Sequence, residues 1–397
     1  MKLRICLLTA SIVLIFAAHC ARGEEDGRAP IIVGYVFPRG AVLKPGQVDA
    51  RNLDRINYAF ANIREGRIEA ASGDDAQNLA LLVALKKENP AMQVLISVGG
   101  WLGSGDFSDI ALTARSRKIF VDSAMEFLEA NHLDGLDLDW EYPGQAGAGH
   151  RYRAVDKQNF TLLLEDLRER FAAGEKASGR RLYLTIAAGA SDEYLADTEM
   201  AKVARAVDAV NLMAYDFNEG VSTGQTTHQA PLYTDPHAPI SDSVDSAVRA
   251  FERAGVPAAK LILGVPFYGR SWQQVGSLNH GLFQPGKPAA QDFIPFAQIN
   301  AGMIGHGFTR YWDASASAPY LYSDDKRIFI SYDDPASLAR KSSYVLAHRL
   351  GGVMFWEYLD DPGGTLLGTI ARTLRAGTQT GPPSCGNPPC APANPRM

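Results

Sequence analysis

Short apolar runs alternate along the chain with longer stretches whose apolar residues recur at helical spacing. The runs are Ile31–Phe37, Arg55–Ile63, Gln93–Trp101, Leu133–Tyr142, Leu182–Ala190, Ala209–Phe217, Lys260–Tyr268 and Gly351–Tyr358. Ser116–Ala130, Gln158–Phe171, Ser241–Ala254 and Pro335–Arg349 are among the helix-patterned stretches between them. A near-continuous apolar run is a strand buried on both faces, as in a parallel sheet covered by helices. Eight such units predict an α/β fold, a (β/α)8 TIM barrel over residues 24–375.

One interval breaks the rhythm. From about Ser271 to Ser331 there is no clean helix, but many aromatic residues, among them Trp272, Phe283, Phe293, Phe308, Trp312, Tyr320 and Phe329. A structureless loop of that length is rare in a compact domain. The interval therefore predicts a small α+β insertion between strands seven and eight. Because it follows a strand, it should rise from the face of the barrel that carries chemistry.

The ends read differently. Lys2 and Arg4 precede an apolar run from Ile5 to Ala18, too short to span a bilayer, and Ala21-Arg22-Gly23 offers small residues for cleavage. Residues 1–23 are expected to be a signal peptide, which puts the protein outside the cell or in a periplasm. A membrane anchor, or lipidation at Cys20, are the alternatives. Residues 376–397 are rich in Pro, Gly and Thr and predict a disordered tail. Cys6 and Cys20 fall in the leader and Cys385 and Cys390 in the tail, so the body needs no disulfide; the last two could pair in an oxidising compartment. A net charge of -5 gives no basic patch for nucleic acid or acidic membrane. Neither is expected as a partner once the leader is removed. The His residues are scattered without ligand spacing, so neither metal nor cofactor is expected. Asn159-Phe160-Thr161 is formally a glycosylation sequon, but it falls in a predicted helix.

The segment Asp134 to Gly144, DGLDLDWEYPG, is the most informative. Alternation along a strand puts Asp137, Asp139 and Glu141 on one face and Leu136, Leu138 and Trp140 on the other. In a barrel strand the acids face inward. Three carboxyls so close cannot all ionise cheaply, and at least one holds its proton near neutral pH. Glu141, last in the row and longest in reach, is the candidate general acid. Asp134 has the other parity and is assigned a structural role.

This segment resembles the DxxDxDxE signature of glycoside hydrolase family 18, the chitinases. Ser97-Val98-Gly99-Gly100-Trp101, Met213-Ala214-Tyr215-Asp216, Pro266-Phe267-Tyr268-Gly269-Arg270 and Gly351-Gly352-Val353-Met354-Phe355-Trp356 are similar to the family's motifs on strands three, six, seven and eight, in that order. One branch of the family carries an insertion after strand seven. The resemblance implies hydrolysis of β-1,4-linked N-acetylglucosamine polymers, chitin or chitooligosaccharides, with retention. The substrate's own acetamide oxygen would attack the anomeric carbon, an exception to the two-carboxylate scheme. By resemblance Asp139 would bind the acetamide N–H, Asp137 would tune Asp139 by sharing a proton, and Tyr215 would hold the acetamide oxygen. Trp356 would floor the reacting subsite, completed by Tyr35, Phe60, Met213, Asp216, Tyr268 and Arg270. Gly100, Trp101 and Tyr142 are further substrate-binding candidates, the last two on the leaving-group side. A link from Ser97 to Asp137 and Tyr35 rests on the resemblance alone. The protein is expected to act as a monomer. Two alternatives stand beside this reading: a hydrolase of another N-acetylglucosamine glycan, such as an N-glycan or peptidoglycan, and a non-catalytic chitin-binding lectin.

Overall fold

The structure, a computed structural model, describes residues 29–218 and 224–379. The expected leader, Cys385 and Cys390 lie outside them. So does most of the expected tail, although the last helix, Thr365–Gln379, runs on past Arg375.

The strands in chain order are β1 (Ile31–Val36), β2 (Arg55–Arg64), β3 (Arg67–Ala70), β4 (Gln93–Gly99), β5 (Gly135–Asp139), β6 (Tyr183–Gly189), β7 (Ala209–Met213) and β8 (Leu261–Pro266). They continue with β9 (Tyr268–Gln273), β10 (Lys287–Pro295), β11 (Thr309–Asp313), β12 (Ala318–Ser323), β13 (Ile328–Ser331) and β14 (Gly352–Trp356). Eight of them close a parallel barrel in the order β1-β2-β4-β5-β6-β7-β8-β14, and β14 pairs with β1 again. Only β3 is antiparallel in this sheet, as a hairpin on the far end of β2. The fold is the (β/α)8 barrel that the spacing of apolar runs predicts.

Helices form where the capping chemistry allows. Thr113 and Ser116 make reciprocal capping bonds at the start of Ala114–Ala130, and Ser243 and Ser246 do so for Val244–Arg253. Asp334 accepts from the N–H groups of Ala336 and Ser337 at the head of Pro335–Ala347, with Pro335 in the first turn. These helices press on the outward side chains of the strands. Leu136 and Leu138 of β5 are fully buried in that shell, with Phe120, Leu163 and Leu167 from the helices. Asn159 of the sequon is buried there too, on the helix Asp156–Ser178.

The remaining strands form a second sheet, in the order β10-β9-β13-β12-β11, with a short helix at Phe296–Gly302. It begins earlier than the aromatic composition suggests. The chain leaves the barrel at Pro266, where Phe267 N–H donates to the Trp356 carbonyl at 2.7 Å and its ring stacks on Phe355 at 4.1 Å. Tyr268 and Arg270 therefore stand on the first strand of the insertion, not at the end of a barrel strand.

Candidate active site

β5 delivers the acids as its alternation requires, but the strand itself ends at Asp139. Glu141 lies just beyond, half-buried, with its N–H donated to Ser104 Oγ at 2.9 Å. Trp140 turns the other way, into the shell, stacked on Phe107 at 5.3 Å. Asp134 is held by Lys86 at 2.6 Å and accepts from Val94 N–H, away from the row.

The two aspartates meet opposite surroundings. Asp137 Oδ2 accepts from Tyr35 Oη at 2.7 Å and from Ser97 Oγ at 2.8 Å. Its Oδ1 accepts from Thr185 Oγ1 at 2.5 Å and from Asn211 Nδ2 at 3.0 Å. Burial pushes this carboxyl up, and the donors from Thr185, Tyr35 and Ser97 pull it back. Asp139 is equally buried, but its Oδ1 has no hydrogen-bond partner among the described residues. Burial, then the charge of Glu141, then that of Asp137 raise it well above the ordinary carboxylate range. Glu141 is thus the charged neighbour that weighs most on Asp139, ahead of Asp137. Both oxygens of Asp137 are already occupied by donors from four other strands.

Around the barrel from the acids stands an aromatic floor. Trp356 stacks on Phe60 at 5.5 Å and meets Tyr35 at 5.8 Å and Phe37 at 5.6 Å. Phe60 reaches it because the register between β2 and β4 slips between Ala59 and Ala61, leaving Phe60 as the extra residue of a bulge. Gly100 is shaped by the same ring. Its φ is +77, and a Cβ there would fall 2.6 Å from Phe60. Gly100 does not itself line the cleft; its N–H is spent on the Asp139 carbonyl at 2.8 Å.

A third group anchors the insertion to the cleft. Arg270 grips Asp216 with Nε and Nη2, both at 2.8 Å, and Tyr268 Oη donates to the same carboxylate at 2.6 Å. Tyr215 is half-buried beside Tyr268, ring centroids 6.3 Å apart, and burial of its hydroxyl followed by the charge of Asp139 pushes that hydroxyl up. On the other wall Trp101, 49% exposed, meets Tyr142 edge-on at 6.4 Å. Together with Met213 these residues line one cleft of about 910 Å³ that also takes in Glu141 and Asp139. That volume and its aromatic lining suit a chain of sugar rings, whose C–H faces pack on aromatics.

Residues 31–361 match the family described as glycosyl hydrolases family 18. The chain belongs to this family. Family 18 relatives include Chitinase A1 of Niallia circulans, 43% identical over 99% of this chain and 65% of the relative. This chain thus spans about two thirds of that relative's length. Chitotriosidase-1 of Mus musculus is 35% identical over 83% of this chain and 73% of its own. Among solved structures, a family 18 N-acetylglucosaminidase from Paenibacillus barengoltzii is similar with a TM-score of 0.80. It shares 43% identity and covers 87% of this chain and 99% of that one.

Several cleft and cradle residues carry no strong sequence signal. Thr185 and Asn211, which complete the Asp137 cradle, are single polar residues within apolar runs. Phe37, Ser191, Asp242 and Phe293 also line the cleft. The signal that finds the first two is parity: a polar residue at an inward position of a barrel strand needs a partner inside.

Proposed function

We propose that the protein hydrolyses chitin or chitooligosaccharides with retention, using the substrate's acetamide as nucleophile, and that it acts as a secreted monomer. Glu141 gives its proton to the leaving glycosidic oxygen while the acetamide oxygen of the sugar on Trp356 bonds to the anomeric carbon. Asp139 accepts the acetamide N–H and balances the charge of the oxazolinium ion. Tyr215 donates to the acetamide oxygen and holds it under the ring. Water then attacks the same carbon, Glu141 takes its proton, and the β configuration returns. Positioning an internal nucleophile in this way removes several kcal/mol of barrier, roughly what intramolecular orientation supplies elsewhere.

One observation carries the reading. Asp139 and Glu141 are adjacent on the cleft wall with Asp139 raised by burial and by Glu141, while Asp137 beneath is saturated with donors. A pair that holds one proton between them, with one member facing substrate, is what protonating a leaving group needs. The test is Glu141→Gln, which keeps the shape and removes the proton. Its kcat on chitotetraose should fall by roughly 10³-fold or more, the scale of losing a general acid together with its charge, while binding persists. Retention of more than a few per cent of the wild-type rate would overturn the assignment.

A second reading has one point in its favour, the N-acetylglucosaminidase described for the Paenibacillus barengoltzii relative. The same row of acids would then release single sugars from a chain end. Product sizes from chitohexaose separate the two: monomer with pentamer as the early products speaks for end-cutting, dimer, trimer and tetramer for cuts within the chain.

A further inference from the structure

Behind the aromatic floor, two buried carboxyls share one guanidinium. Glu357 follows Trp356 and is fully buried, and Asp360 is 2% exposed. Arg39 reaches both from the segment after β1. Its Nη1 donates to Glu357 Oε1 at 2.7 Å and its Nη2 to Asp360 Oδ1 at 3.3 Å. Glu357 Oε2 accepts the N–H of Leu359 at 2.9 Å and, at the limit of reach, that of Phe37 at 3.4 Å. One carboxylate thus ties the segment carrying Phe37 to the segment carrying Trp356. The Arg39 guanidinium also lies over the Phe37 ring, 5.4 Å from its centre. Asp360 Oδ2 is buried and has no hydrogen-bond partner among the described residues.

We infer that Arg39, Glu357 and Asp360 form a latch that positions the Phe37–Trp356 floor, and that the latch closes when the two carboxyls hold one proton between them. All three are positioning residues, and none lines the cleft. The inference rests on the functional reading only in taking that floor to be where a sugar lies.

The charge count requires the proton. Two carboxylates and one guanidinium leave one net negative charge, and burying an uncompensated charge is costly. The other charged groups nearby are engaged elsewhere. Asp361 accepts from Leu366 N–H at 2.7 Å, Tyr358 Oη accepts from Asp49 N–H at 2.8 Å, and Asp49 pairs with Arg51. Among the described residues no cation other than Arg39 pairs with Asp360. Burial, then the neighbouring Glu357, push Asp360 up to about 7 against the pull of Arg39. Burial raises Glu357 as well. A carboxyl raised on folding binds its proton more tightly in the folded protein than in the unfolded chain. Its contribution to stability is therefore complete at acid pH and is lost as pH rises through the neutral range. Above it, Asp360 and Glu357 repel, and the two segments that carry Phe37 and Trp356 loosen.

Binding to the Glu141→Gln protein tests the latch without turnover. Chitotetraose affinity, measured by calorimetry between about pH 5.5 and about pH 8.5, should weaken at least threefold across the range in which the latch loses its proton. In Glu141→Gln with Asp360→Asn the fall should be clearly smaller than in Glu141→Gln alone, because the amide is neutral at every pH and only the acids of the cleft, Asp139 among them, still titrate. Arg39→Met should bind more weakly throughout, with the fall moved to higher pH. In the ligand-free protein, the thermal midpoint of wild type should drop below that of Asp360→Asn progressively as pH rises. A level affinity in the Glu141→Gln protein would overturn the latch, as would a thermal gap that does not change with pH. If Asp360→Asn does not fold, the displaced profile of Arg39→Met decides. If the Glu141→Gln protein binds no chitotetraose at any pH, the functional reading fails instead, and the thermal comparison alone then decides the latch.

Discussion

The inside of the barrel and the shell around it are built from the same strands to opposite ends. In the shell, β5 contributes Leu136 and Leu138 to a single large apolar cluster that runs through Phe120, Phe160, Leu163 and Leu167. Inside, the apolar cluster is small, built on Val33, Tyr35, Ala59, Ala209, Ile262 and Met354, and the acids and their donors fill much of the remaining space. Each fully buried leucine in the shell adds about 1.5–3 kcal/mol. The shell can therefore carry the stability, and the interior is left free to hold carboxyls that burial alone would make unfavourable.

Two substitutions on adjacent positions of one strand should break that division if it is wrong. Asp139→Asn carries the larger expected effect. Its kcat should fall roughly 10²- to 10³-fold, the scale of losing a charge-stabilising group in a buried site. Its thermal midpoint should hold or rise, since the change relieves repulsion with Glu141 and Asp137. An Asp139→Asn protein that is markedly less stable would mean that the interior charges are part of what holds the fold. Leu138→Ala should do the reverse. It removes a fully buried side chain and should cost about 2–5 kcal/mol in urea unfolding. The kcat of the fraction still folded should remain within about twofold, since Leu138 faces the shell while Asp139 faces the cleft. A large loss of kcat without loss of stability would show that the shell acts on the acids directly.

The same contrast explains what the sequence discloses. The shell is legible because its rule is periodic. Runs of apolar residues locate all eight barrel strands, and the spacing of Asp137, Asp139 and Glu141 gives their common face. The interior is legible only where several polar residues crowd one strand. The cradle of Asp137 draws single residues from β1, β4, β6 and β7, so parity marks Thr185 and Asn211 as inward but does not say that Asp137 is what they meet. The latch is hidden for the same reason, since Arg39 and Glu357 lie far apart in the chain. Periodicity also fails where the chain passes between sheets. Lys260–Tyr268 reads as one apolar run, yet β8 ends at Pro266 and Tyr268 opens the insertion. The packing of Phe267 on Phe355 makes that turn, and it is a tertiary contact.

The central claim is that the interior acids work by protonating a bond that the substrate's own acetamide attacks. Partly deacetylated chitosan tests it most directly, because glucosamine carries an ammonium where the acetamide should be. The new reducing ends should all be N-acetylglucosamine, and proton NMR of freshly cut chitotetraose should show the β anomer first. A substantial share of glucosamine at the new reducing ends, or an initial α anomer, would contradict the account.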